Sequence, residues 1–145
     1  MKVNLRSPLV YGIAAAALLA AVGCTKSGTS ATAQLSASKE IPAAEGVVEA
    51  SATDNDNTRL RVEVKHLAPV VKVAPDATTY VVWLQPLGNG RAVNMGALRV
   101  DDDLKGSLEA TTPMHAFDVY ITAEQSPTTM SPKGNRLMEA RVERK

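Results

Sequence analysis

His66 and His115 are the only imidazoles in the chain. Nucleophilic catalysis near neutral pH needs a base beside the nucleophile, and histidine is the side chain whose ordinary pKa suits that task. His66 sits at the end of the alternating run Thr58 to Leu67, and His115 sits in Pro113-Met-His115, just ahead of another such run. Both read as solvated strand ends. The sequence holds no Gly-x-Ser-x-Gly elbow, no Gly-x-x-x-x-Gly-Lys phosphate loop and no Gly-x-Gly-x-x-Gly turn. Its acids are spread along strands and turns and offer no pair for acid–base work. The expectation is a protein that is not an enzyme and carries no cofactor.

Metal chemistry has two sets of residues to draw on. Asp54-Asn55-Asp56-Asn57 begins like a calcium loop, but position six is Arg59 and position twelve is Lys65. Asp101-Asp102-Asp103-Leu-Lys-Gly106 has the glycine, yet Thr112 stands at position twelve. Both read as hairpin turns, because Asp and Asn tolerate turn dihedrals and hydrogen-bond their own backbone. Soft ligands for copper would come from Met114, His115 and Met130, which fall in turns. Met138 falls in strand register as core filler. No metal site is assigned, and these three residues are where one would form.

The single cysteine, Cys24, excludes a disulfide framework and a multi-thiolate zinc site. It ends an N-terminal segment unlike the rest. Lys2 and Arg6 give a cationic start, and Leu9 to Val22 is uncharged. At 14 residues that run is short for a bilayer core, which takes about 20, and fits the apolar region of a secretion signal. Ala20-Ala21-Val22-Gly23-Cys24 resembles a bacterial lipoprotein box. The resemblance implies cleavage before Cys24 and acylation of its thiol, with residues 1–23 removed as a signal peptide. Ala21 stands where Leu is most usual. Thr25 is not the Asp that retains many lipoproteins at an inner membrane, which favours the periplasmic face of an outer membrane in a cell that has one.

The remaining chain has room for one domain. Residues 25–145 carry 14 Lys and Arg against 15 Asp and Glu, a balance that excludes a basic nucleic-acid footprint. Residues 24–33 read as the lipidated cysteine and a flexible, small polar tether, and 34–145 as the domain. Period-two alternation dominates. Leu60, Val62 and Val64 alternate with Arg61, Glu63 and Lys65, and Phe117, Val119 and Ile121 alternate with Asp118, Tyr120 and Thr122. Thr79 to Gln85 is β-branched and aromatic without charge, as in a strand buried on both faces, and Tyr80 and Trp83 read as core.

Further strands are expected at 34–38, 47–53, 92–100, 104–110 and 137–142. The seven prolines after the signal all fall between the expected strands. Pro69 to Thr78 is a crossover with room for one short turn. The expected fold is all-β, an antiparallel immunoglobulin-like β-sandwich of seven or eight strands.

One stretch points to a family. Tyr80-Val-Val-Trp83-Leu-Gln-Pro86, Gly90 to Leu98, Phe117-Asp-Val-Tyr-Ile-Thr-Ala-Glu124, Ser126-Pro127 and Pro132-Lys-Gly134 occur in that order. Over residues 79–142 the sequence resembles the extracytoplasmic C-terminal domain of anti-sigma-K-type anti-sigma factors. The resemblance implies an extracytoplasmic β domain that senses or binds. It does not imply anti-sigma activity, since a lipoprotein signal stands where such factors carry a sigma-binding domain and a membrane helix. Leu35 to Pro69, with Glu40-Ile-Pro42 and Gly46, is distantly similar to the opening of chordin-like secreted β domains. The resulting expectation is a lipid-anchored envelope module with a membrane contact and an envelope protein partner. The alternative is a periplasmic binder of a small ligand or of copper or calcium.

Overall fold

The computed structural model describes residues 29–145. The signal segment 1–23, Cys24 and the first part of the expected tether lie outside the described residues. Eight antiparallel strands follow one another: β1 (Ser30–Ala37), β2 (Glu45–Ala52), β3 (Thr58–Lys65), β4 (Thr79–Pro86), β5 (Val93–Val100), β6 (Gly106–Thr112), β7 (Ala116–Glu124) and β8 (Met138–Glu143). A single helical turn, α1 (Val70–Val73), lies in the β3–β4 crossover. β1 begins inside the expected tether, at Ser30. Residues 30–33 are small enough to line the ladder, and they pair with Val48 to Ser51 of β2.

The strands close into a barrel in the order β1-β2-β3-β6-β5-β4-β7-β8. The expected immunoglobulin-like sandwich of two separate sheets is therefore corrected to a closed barrel. Two strands make the difference. β1 pairs with β2 through Ser30–Leu35 and then with β8 through Ser36 and Ala37. β5 pairs with β4 and reaches β6 through Arg99 and Val100. Alternation cannot separate the two architectures, because each buries one face of every strand.

Both of these short seams lie at one end of the barrel, here termed the base. The base also carries α1 and the Asp101–Lys105 hairpin. Towards the other end, the mouth, no pairs join β1 to β8 or β5 to β6, and the two sheets part. The mouth gathers the start of β1, the turns 53–57, 87–92 and 113–115, and the chain end after β8.

Leu35, Val48, Leu60, Val62, Val64, Tyr80, Val82, Leu84, Phe117, Val119, Ile121 and Val142 fill the interior. Val81, Trp83 and Tyr120 form a second cluster on the outer side of β4 and β7. Trp83 is fully buried, but on this outer face rather than inside the barrel. The second face of the β7 alternation is also covered, since Tyr120 and Thr122 are buried. Residues 125–137, between β7 and β8, account for this by running back across the sheet. Asn94 Nδ2 donates to the carbonyls of Pro127 and Thr129 and holds this strap against β5.

Candidate functional site

Two polar constellations organise the surface of the barrel. The first closes the mouth. Arg144 follows β8, and its side chain is only 4% exposed. Its Nε donates to Thr58 Oγ1 at 3.0 Å, and an Nη donates to the backbone carbonyl of Asp56 at 3.0 Å. The same Nη lies 3.2 Å from the Asp56 carboxylate. His115 Nε2 donates to the Asp56 carbonyl at 2.9 Å, and the Asp56 carboxylate stands 3.6 Å away. The Arg144 amide donates to the His115 carbonyl. The β2–β3 turn of one sheet is thereby tied to the ends of β7 and β8 in the other. Asp56 holds this position with φ of 62°, a left-handed geometry that Asp adopts more readily than most residues.

The second constellation pins the strap. Trp83 Nε1 donates to Thr122 Oγ1 at 2.9 Å, and Thr122 Oγ1 donates to Glu124 Oε1 at 2.6 Å. That carboxylate oxygen also accepts the backbone N–H groups of Lys133 and Gly134. Glu124 is buried, and burying polar oxygens is costly unless hydrogen-bond donors replace their water. Three donors do so here. Among the described residues no buried side-chain polar atom lacks a partner. Gly134 is required for the approach, because a β-carbon there would collide with the Ala123 carbonyl oxygen. Arg136 lies over the Tyr120 ring, 4.0 Å from its centroid, and donates to Gln85 and Glu139. Burial pushes the Tyr120 hydroxyl above its ordinary pKa, and the Arg136 charge acts in the opposite sense.

The residues singled out from the sequence are scattered over these features. Met114 is half-buried and packs against the interior cluster. His115 is in the mouth clamp. Met130 is 78% exposed on the strap, beyond the outer face of β4 and β5. The three do not converge. Among the described residues no three His, Cys, Asp or Glu side chains are grouped to hold a metal ion. His66 is exposed after β3 with φ of 56°, at the base, and so stands at the opposite end from His115.

Both acidic turns behave as hairpins. Asp101 Oδ1 accepts the amides of Asp103 and Lys105, and Thr53 Oγ1 donates to Asn55. Cys24 lies outside the described residues. Sequence reasoning missed the Trp83–Thr122–Glu124 chain. Its only trace was the acid of Thr122-Ala-Glu124, in register with Tyr120 and Thr122. Nothing in the sequence marked Arg144.

A recess of about 430 Å³ opens at the base. Pro69, Val70, Leu98, Val100 and Leu104 line it, with Asp101 and Asp102 at its side. Tyr80 reaches it from below, and its hydroxyl donates to the Ala68 carbonyl at 2.6 Å. Desolvation raises the Tyr80 pKa to about 12, so it stays a neutral donor. Leu104 and Val71 are exposed apolar side chains at this same end. The arrangement offers an accessible contact surface.

No protein-family model and no curated protein matches the chain.

Proposed function

We propose that this chain is a lipid-anchored lipoprotein of the cell envelope whose barrel is a binding, structural or sensing module without catalysis. The observation that carries the reading is Ala20-Ala21-Val22-Gly23-Cys24, set behind a cationic start and an uncharged run, with the one cysteine of the chain at its end. Several acyl chains there would fix the protein to a bilayer without spanning it, since each buried CH₂ contributes about 0.8 kcal/mol. Thr25 favours the periplasmic face of an outer membrane.

The barrel supports the contact role in two ways. Its polar constellations are spent on holding loops, and the recess at its base, part apolar and part polar, is accessible to a partner. The likeness of residues 79–142 to an extracytoplasmic anti-sigma-K-type domain agrees with a sensing or contact task. The experiment is intact-mass analysis of protein from a membrane fraction beside a Cys24→Ala variant. A mass starting at Cys24 plus acyl chains, lost in the variant, is expected. An unmodified N-terminus at another residue would overturn the anchor.

A further inference from the structure

We infer that the mouth of the barrel faces the bilayer and that the base, with its recess, points away from it. This orientation rests on the lipid anchor at Cys24 proposed above. Its carrier is the direction of β1. The strand starts at the mouth with Ser30 and reaches the base only at Ala37, where it pairs with Met138. Between Cys24 and Ser30 stand five residues, Thr25 to Thr29. From Cys24 to Ser30 there are six residue steps, which fully extended span at most about 22 Å at about 3.6 Å each. Strands of mostly eight residues are about 26 Å long at about 3.3 Å per residue, and a barrel tilt of about 35–45° makes the wall about 20 Å high, to which α1 and the Asp101–Lys105 hairpin add at the base. Bringing the base down would need the whole linker stretched along the wall and past those base loops. Any less extended linker holds the mouth beside the headgroups.

The residues at the mouth suit a headgroup layer. Leu87 and Val93 are exposed apolar side chains there. Arg91 and Lys145 are exposed cations with no carboxylate within 4.0 Å among the described residues. Asp54 and Glu143 are exposed acids at the same end, so charge is nearly balanced and the tether carries the proposal. The recess of Pro69, Val70, Leu98, Val100 and Leu104 is then the surface offered to the surrounding compartment.

The test uses the full chain, matured in cells and reconstituted in vesicles of phosphatidylethanolamine and phosphatidylglycerol containing a headgroup-nitroxide lipid. Asp54→Cys and Asp102→Cys place a single fluorophore on an exposed turn at the mouth or the base. Pro113→Cys and Lys72→Cys are a second pair should either of the first fail to fold. Intact mass, read on the same samples, reports acylation at Cys24. Acylated protein with quenching at Asp54 and full emission at Asp102 is the expected result. Acylated protein with equal quenching, or with the base quenched more, would overturn the orientation and leave the anchor standing. Protein without acyl chains, which takes a second fluorophore on Cys24, would overturn both.

Discussion

Arg144 Nε and Thr58 Oγ1 meet at 3.0 Å across the mouth, joining the chain end beyond β8 to the first residue of β3. Both residues are buried. No backbone pairs link the two sheets at this end, so this contact and the Asp56 carbonyl do the work of a seam.

Arg144→Ala removes the guanidinium and leaves the Thr58 hydroxyl without that donor. Hydrogen bonds to charged groups contribute about 1.5–3 kcal/mol each, and a loss of about 2–3 kcal/mol is expected. Urea titration of the full chain checks it. Arg144→Lys should recover only part of the loss, because an ammonium lacks the planar fork that serves Thr58 and Asp56 together. A midpoint unchanged in Arg144→Ala would show that packing alone closes the mouth.

Thr122→Val keeps the shape and deletes the hydroxyl between Trp83 and Glu124. The indole N–H and the carboxylate each lose a partner, at an expected cost of about 1–3 kcal/mol. Trp83 is the only tryptophan, so its emission reports directly on the strap. A red shift and greater quenching by iodide are expected in Thr122→Val. Emission like that of the parent would show that the strap holds without this chain of donors.

Gly134→Ala should destabilise more than Gly88→Ala. Gly88 has φ of 83° with open space around it, so Ala there costs about 1–2 kcal/mol of left-handed strain and nothing more. At Gly134 the added carbon meets the Ala123 backbone, and overpacking costs about 1–3 kcal/mol or displaces the strap. Thermal melts of the two variants, with Trp83 emission recorded alongside, rank them. The reverse order would mean that the strap yields easily at Lys133 and Gly134.

Alkaline pH should weaken the fold through its buried tyrosines. The Tyr80 pKa is pushed up to about 12, against an ordinary 10.0, by burial. Below about pH 10 the phenol is neutral in both states and the stabilisation is complete. Between about pH 10 and 12 the unfolded chain releases this proton while the folded chain keeps it, so stability falls with rising pH. Above about pH 12 the contribution is gone. Tyr120 is raised in the same direction. Urea midpoints at pH 9 and 11 should differ less in Tyr80→Phe than in the parent. Equal pH dependence in both would place the alkaline loss elsewhere.

Much of the fold was legible because alternation and turn residues are local signals. Thr58 to Lys65 and Ala116 to Glu124 name their own inward faces, and Asp54–Asn57 and Asp101–Asp103 announce their hairpins. Closure was not legible. It depends on Ser36, Ala37, Arg99 and Val100 pairing with strands distant in sequence, and those residues carry no mark that separates them from any strand end. The outer cluster was hidden for a similar reason. Tyr120 and Thr122 lie on the second face of an alternating strand, and the strap that covers them has its path set by Gly134 and Asn94 at long range. His115, weighed with Met114 and Met130 as a soft-metal ligand, holds a turn in the structure.

The direction of β1 also decides how the domain bears load. A pull on the chain ahead of Thr29, directed away from the mouth, runs along the axis of β1. Its ladder with β2, from Ser30↔Ser51 to Leu35↔Gly46, is then loaded in shear, with every backbone hydrogen bond strained together. A pull across the strand would instead open the same bonds one at a time, as a zipper does. A load carried along β1 therefore meets the whole ladder at once, which is the direction in which the barrel resists most.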